Sequence, residues 1–158
     1  MPLSPSINSV EIGGFDSDLA LSKCEFGNYP EELINAKDAF KGFAENRTRL
    51  HVISDDISGD IIGFVVLHLS HAAAKSNCLV IDYLFVSQGY RKKQCPEFGD
   101  QKISDFLLNY VIECAREVDS IVPVSFIALR PADDKLLPFY GAYNFVLLDE
   151  SWMFLQIS

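Results

Sequence analysis

Several features that announce a function are missing from this sequence. Cysteine is sparse: Cys24, Cys78, Cys95 and Cys114 are scattered through 158 residues with no CxxC pair, which excludes the common zinc and dithiol spacings. The opening Met1-Pro2-Leu3-Ser4-Pro5-Ser6 has neither a basic nor an apolar region. No secretory signal is therefore expected, and the four thiols are expected to stay free in a reducing, cytoplasmic compartment. The longest apolar stretch, Ile61 to Leu69, already contains His68 and falls well short of the ~20 residues that a membrane helix needs. Nothing matches GxSxG, HExxH or Walker A. His68 and His71 near Cys78 fit no structural zinc pattern, so no metal is expected.

Positive charge is scarce too. Thirteen Lys and Arg stand against 22 Asp and Glu, a net charge of −9, and such a chain repels a phosphate backbone unless its cations are gathered in one place. The balance speaks against nucleic acid as a partner. No repeat, low-complexity tract or break in composition divides the chain, and residues 1–158 read as a single domain.

What is present builds a core. About half of the residues are apolar, with 12 Phe and 6 Tyr. From Pro30 to Glu45, residues Leu33, Ala36, Phe40, Phe43 and Ala44 recur at helical spacing behind an acidic first turn. Leu50–Ser54, Ile61–Leu69 and Cys78–Val86 are β-rich runs, the first two joined by the polar Asp55–Asp60, and they predict a three-stranded antiparallel meander. Ile103, Phe106, Leu107, Tyr110, Val111, Cys114, Ala115 and Val118 mark one face of a long amphipathic helix. A strand at Val122–Leu129, a short helix at Asp133–Tyr140 and two strands at Phe145–Leu148 and Trp152–Ile157 follow, the last two flanking a turn at Asp149–Ser151. The order predicts an α/β fold: a mixed, mostly antiparallel sheet flanked by helices.

Two segments carry a resemblance. Leu136-Leu137-Pro138-Phe139-Tyr140-Gly141-Ala142-Tyr143-Asn144-Phe145 is similar to the Ala-x-x-Phe-Tyr-x-x-x-Gly-Phe segment of the GNAT superfamily of acetyl-CoA-dependent N-acetyltransferases. Asn144 replaces a glycine there, and Asn is the next-best residue for the left-handed conformation that ends a helix. Ile81-Asp82-Tyr83-Leu84-Phe85-Val86-Ser87-Gln88-Gly89-Tyr90-Arg91-Lys92-Lys93 resembles the family's fourth strand and the Val-x-Pro-x-Tyr-Arg-Gly-Lys that follows it.

The resemblance implies transfer of an acetyl group from acetyl-CoA, as cosubstrate, to a primary amine of a small molecule or protein. It implies that Tyr140 returns a proton to the departing thiolate. It implies that main-chain groups of Leu84, Phe85 and Val86 hold the pantetheine arm, and that Asp133 stands near the cofactor, where the family often has Asn. Asp82, a carboxylate in an otherwise apolar strand, would be costly to bury unpaired; it is the candidate base, with a plain strand-edge aspartate as the alternative.

The family's glycine-rich diphosphate loop is changed in this chain. Eight residues, Gln94–Gln101, intervene before Lys102-Ile103-Ser104, which stand in for Gly-Ile-Gly. Only Gly99 remains in the loop, and Asp100 is placed to cap the helix. Yet Arg91, Lys92, Lys93 and Lys102 fall within twelve positions, where a diphosphate would need them. Tyr90 and Phe98 beside them are candidates to stack on adenine. The acidic body favours a cationic acceptor. Two alternatives stay open: a degenerate GNAT domain that binds CoA or a protein without catalysis, and a toxin that acetylates aminoacyl-tRNA, to which Leu33–Val52 bears a faint likeness. The chain is expected to be a monomer or a homodimer.

Overall fold

A computed structural model describes residues 5–71, 76–148 and 151–157. The elements run β1 (Pro5–Ser9), α1 (Ser17–Ser22), α2 (Pro30–Ala44), β2 (Arg49–Asp55), β3 (Ile61–Ser70), β4 (Cys78–Val86), β5 (Gln94–Cys95), β6 (Gln101–Lys102), α3 (Ile103–Asp119), β7 (Phe126–Leu129), α4 (Leu137–Gly141), β8 (Val146–Leu147) and β9 (Met153–Gln156). Seven strands form one sheet in the order β1-β2-β3-β4-β7-β9-β8, and β5 and β6 form a separate hairpin. The β4–β7 pair is parallel, while β1–β2, β7–β9 and β8–β9 are antiparallel. The mixed, mostly antiparallel sheet with flanking helices is the architecture that the element order predicts.

The chain divides into two compact units, and β3, β4 and α3 each contribute to both. The first unit, residues 5–66 and 83–109, is built on phenylalanine. Ala36, Phe40 and Phe43 of α2 pack with Leu50, Phe64, Val66 and Phe85, and the Phe64 ring lies 4.9 Å from that of Phe40 and 5.1 Å from that of Phe85. Pro30 opens α2 and Glu31 and Glu32 occupy its first turn, as the helix dipole favours. Asn46, in the left-handed region at φ 60°, stops it. Gly63 is required by packing, since a Cβ there would stand 2.7 Å from the carbonyl oxygen of Phe85.

The second unit, residues 67–71, 76–82, 110–148 and 151–157, centres on Cys78 and Val80 of β4, Ala128 of β7 and Phe154 of β9. Val80 is in register with Ala128, and Ala128 with Phe154, so the three form one cross-strand row.

Several expectations change in detail. The strand expected from Val122 begins only at Phe126. Pro123 has no N–H to give, and the N–H of Val124 is taken by the Asp119 carboxylate at 2.9 Å. The helix expected at Asp133–Tyr140 splits into a 3₁₀ turn at Asp134–Leu136 and α4. Asn144 takes the left-handed conformation expected of it, at φ 72°. The last two strands shorten to Val146–Leu147 and Met153–Gln156, and of the turn between them Asp149 and Glu150 lie outside the described residues. The turn-rich start holds β1 and α1, and the long loop holds the β5–β6 hairpin, none of which the hydrophobic pattern announces.

No disulfide joins the four cysteines. Burial pushes the thiol of Cys24 up to about 12 and raises those of Cys95 and Cys114.

Candidate active site

Strand β4 changes character half-way along. Its ladder with β7 ends at Ile81↔Leu129, and the strand continues to Val86. Asp82 meets His68 of β3, while Tyr83 and Phe85 meet Phe64 of the same strand.

The Asp82 carboxylate has a partner. Asp82 Oδ2 lies 2.6 Å from His68 Nδ1, with both side chains about one-third exposed. An ionised carboxylate only accepts hydrogen bonds, so the imidazole donates from Nδ1, and Nε2 is the nitrogen turned away from that bond. Both residues line a cavity of about 490 Å³ whose other walls include Val80, Ile81, Arg130 and Trp152. The guanidinium carbon of Arg130 sits 4.8 Å from the centre of the Trp152 ring, a cation–π contact that orients it. An apolar hollow of this size with a few converging polar groups suits a small reacting group. Sequence reasoning had Asp82 but missed His68 as its partner, and had no place for Trp152. Alternating His68 and Val66 on β3 was the available signal, and it acquires meaning only from the register with β4.

Tyr140 lies on α4 and is 6% exposed. Phe139 and Phe145 pack edge-on against it at 5.0 and 5.7 Å. It is not among the residues that line the cavity. Burial pushes its phenol up to about 12, so it stays protonated at neutral pH.

The basic segment separates into committed and uncommitted side chains. Arg91 is committed: it pairs with Glu32 of α2, donates from Nε to the Val86 carbonyl at 2.8 Å, donates to Gln88 at 3.0 Å and lies over the Phe85 ring. Lys92, Lys93 and Lys102 make no salt bridge among the described residues. Ile103 opens α3 and is fully buried, whereas Ser104 after it is partly exposed. Asp100 does not occupy the cap position of α3, because the helix begins at Ile103 and Lys102 directly precedes it. Phe98 is buried edge-on against Phe106 at 4.9 Å, so it is no adenine platform. Asp133 caps the 3₁₀ turn through the Lys135 N–H at 2.9 Å, the ordinary work of an aspartate at a helix start. His71 binds Asn77 at 3.3 Å, away from the partner of His68.

No family model matches the chain, and no curated protein matches it in sequence. Solved structures do match. AtaTR bound with acetyl-CoA superposes with a TM-score of 0.77 over 97% of this chain and 93% of its own, at 10% identity. AtaT complexed with acetyl-methionyl-tRNAfMet gives 0.73 over 97% and 95%, at 13% identity. The KacTA–DNA complex gives 0.71 over 98% and 94%, also at 13%. The chain has the GNAT fold.

Proposed function

We propose that this chain is an N-acetyltransferase that moves the acetyl group of acetyl-CoA to a primary amine. The observation that carries the reading is the His68–Asp82 pair at 2.6 Å in a cavity beside the point where β4 loses its β7 partner. The net reaction moves one proton from nitrogen to sulfur as a C–N bond forms and the thioester C–S bond breaks. In this reading His68 Nε2 takes the proton from the attacking amine. Asp82 fixes the tautomer and steadies the imidazolium. The base expected at Asp82 thus becomes a pair, with histidine as the proton acceptor.

Tyr140 supplies a proton to the sulfur. A phenol at about 12 would donate uphill to a thiolate in water, where a thiol titrates near ~8.5, by roughly 5 kcal/mol. Holding the sulfur out of water narrows that gap, because burial raises a thiol as it raises the phenol. The imidazolium then returns its proton to the tyrosinate through solvent.

For the cosubstrate, main-chain groups of Leu84, Phe85 and Val86 are assigned to the pantetheine arm. Lys92, Lys93 and Lys102 are assigned to the diphosphate, together with Ser104 in the first turn of α3; Ile103, wholly buried, supports that turn from behind. Arg91 is assigned a supporting role, since Glu32 already neutralises it.

For the acceptor we favour the α-amine of an aminoacyl-tRNA. The neighbour AtaT is seen with acetyl-methionyl-tRNAfMet, and the chemistry agrees. Holding a lysine-type amine neutral at pH 7 costs about 4.6 kcal/mol, an α-amine only about 1 kcal/mol, and a histidine suffices for the second. A titration calorimeter and an acceptor panel test the whole reading. Acetyl-CoA should bind, and CoA release should follow with aminoacyl-tRNA more than with a polyamine or a lysine peptide. Folded protein that binds no acetyl-CoA would overturn the enzyme and leave the non-catalytic alternative.

A further inference from the structure

We infer that Arg130, braced on Trp152, is the specificity-determining residue of this cavity: it favours amines with an oxygen acceptor beside them and rejects amines with a second cation. The inference rests on the reading of the cavity as the acceptor site and goes beyond it by assigning selectivity to one side chain.

The cavity contains three charged or titratable groups among the described residues, His68, Asp82 and Arg130. Asp82 accepts a hydrogen bond from His68 through Oδ2 and keeps its charge at that end of the cavity, so the contrast between ligands is set at the Arg130 end. Arg130 follows the last residue of β7 and forms no salt bridge among the described residues. The Trp152 face presses on it at 4.8 Å, and a stacked guanidinium keeps its edge donors free for a carbonyl, carboxylate or phosphate oxygen. Val80 and Ile81, both nearly fully buried, give the hollow an apolar floor that weakens solvent screening. Two cations ~6 Å apart at an effective dielectric of ~20 repel enough to change affinity by roughly 100-fold. An acidic protein surface thus leads to a local site that opposes polycations.

Trp152 supplies the readout, because it is the only tryptophan in the chain. Its fluorescence is followed while wild type, Arg130→Gln and Arg130→Glu are titrated with aminoacyl-tRNA, deacylated tRNA and spermidine. The same three proteins are assayed for kcat/KM with each amine. Wild type should favour aminoacyl-tRNA over spermidine. Arg130→Gln should lower that ratio roughly 10-fold, chiefly through KM, and Arg130→Glu should lower it roughly 100-fold. Deacylated tRNA separates oxygen atoms next to the amine from phosphates farther off: equal Arg130-dependence with and without the aminoacyl group overturns the inference. An unchanged ratio in Arg130→Glu also overturns it. If no amine is acetylated but the fluorescence titrations keep their dependence on Arg130, the acetyltransferase reading fails and this inference stands. If acetylation proceeds with a selectivity blind to Arg130, the inference fails and the reading stands.

Discussion

Arg91 and Arg130 are the same residue placed beside an aromatic ring in two different economies of charge. Arg91 lies over Phe85 and spends its donors on Glu32, Gln88 and the Val86 carbonyl. Arg130 lies over Trp152 with no carboxylate in salt-bridge range among the described residues. A saturated guanidinium ties segments together, and removing it leaves a largely buried carboxylate alone. An unsaturated one contributes little to folding and keeps its donors for a ligand. The difference lies in the partner, since the two residues are equally charged.

Variants can break that contrast, and the largest effect belongs to the cavity. His68→Gln should lower kcat/KM by about 100-fold or more while the melting temperature stays within a few degrees, because general-base catalysis commonly contributes at least that much. Equal turnover in the variant would remove His68 from the chemistry. Alkaline unfolding comes next. Burial raises Tyr140 from its ordinary 10 to about 12, so the folded state holds the proton more tightly than the unfolded one. That contribution is whole below pH 10 and fades as pH climbs to 12, a loss of roughly 2.7 kcal/mol from this residue. In Tyr140→Phe the loss of stability across this window, measured by urea unfolding at each pH, should shrink by a comparable amount.

The Arg91 node should respond in stability. Arg91→Ala should cost about 2 kcal/mol, discounted from the ~3–5 kcal/mol of a fully buried pair because the arginine is partly exposed, and should lower Tm by roughly 4–8 °C. Arg130→Ala should change Tm by less than half as much, and a larger fall would erase the distinction between the two arginines. The smallest effect is expected from Glu32→Gln, about 1 kcal/mol, since the amide still accepts one hydrogen bond from Arg91.

The sequence made the same contrast only half visible. Period-2 and period-3.6 patterns placed β2, β3, β4, α2 and α3 within a residue or two, and Asn144 was readable as a left-handed helix stop because only local physics acts there. The charge cluster at Arg91–Lys93 was equally plain. What could not be read was Glu32, 59 residues away, which removes Arg91 from the set of free cations. The same holds for His68 and Asp82, whose meeting depends on the register of two strands, and for Phe98, whose ring turns inward on Phe106. The two-residue strands β5 and β6 depend on main-chain pairing and leave no hydrophobic period to detect.

The suppressed thiols have a consequence for how the molecule opens. At neutral pH a group that titrates near 12 is thiolate only about one part in 10⁵ of the time, and thiolate is the form that reacts with alkylating reagents. Cys24 beside α1 and Cys114 within α3, both raised by burial, therefore act as two native clocks. Each should be modified at a rate set by the local opening that exposes it, so the order in which they react should report which part of the fold loosens first.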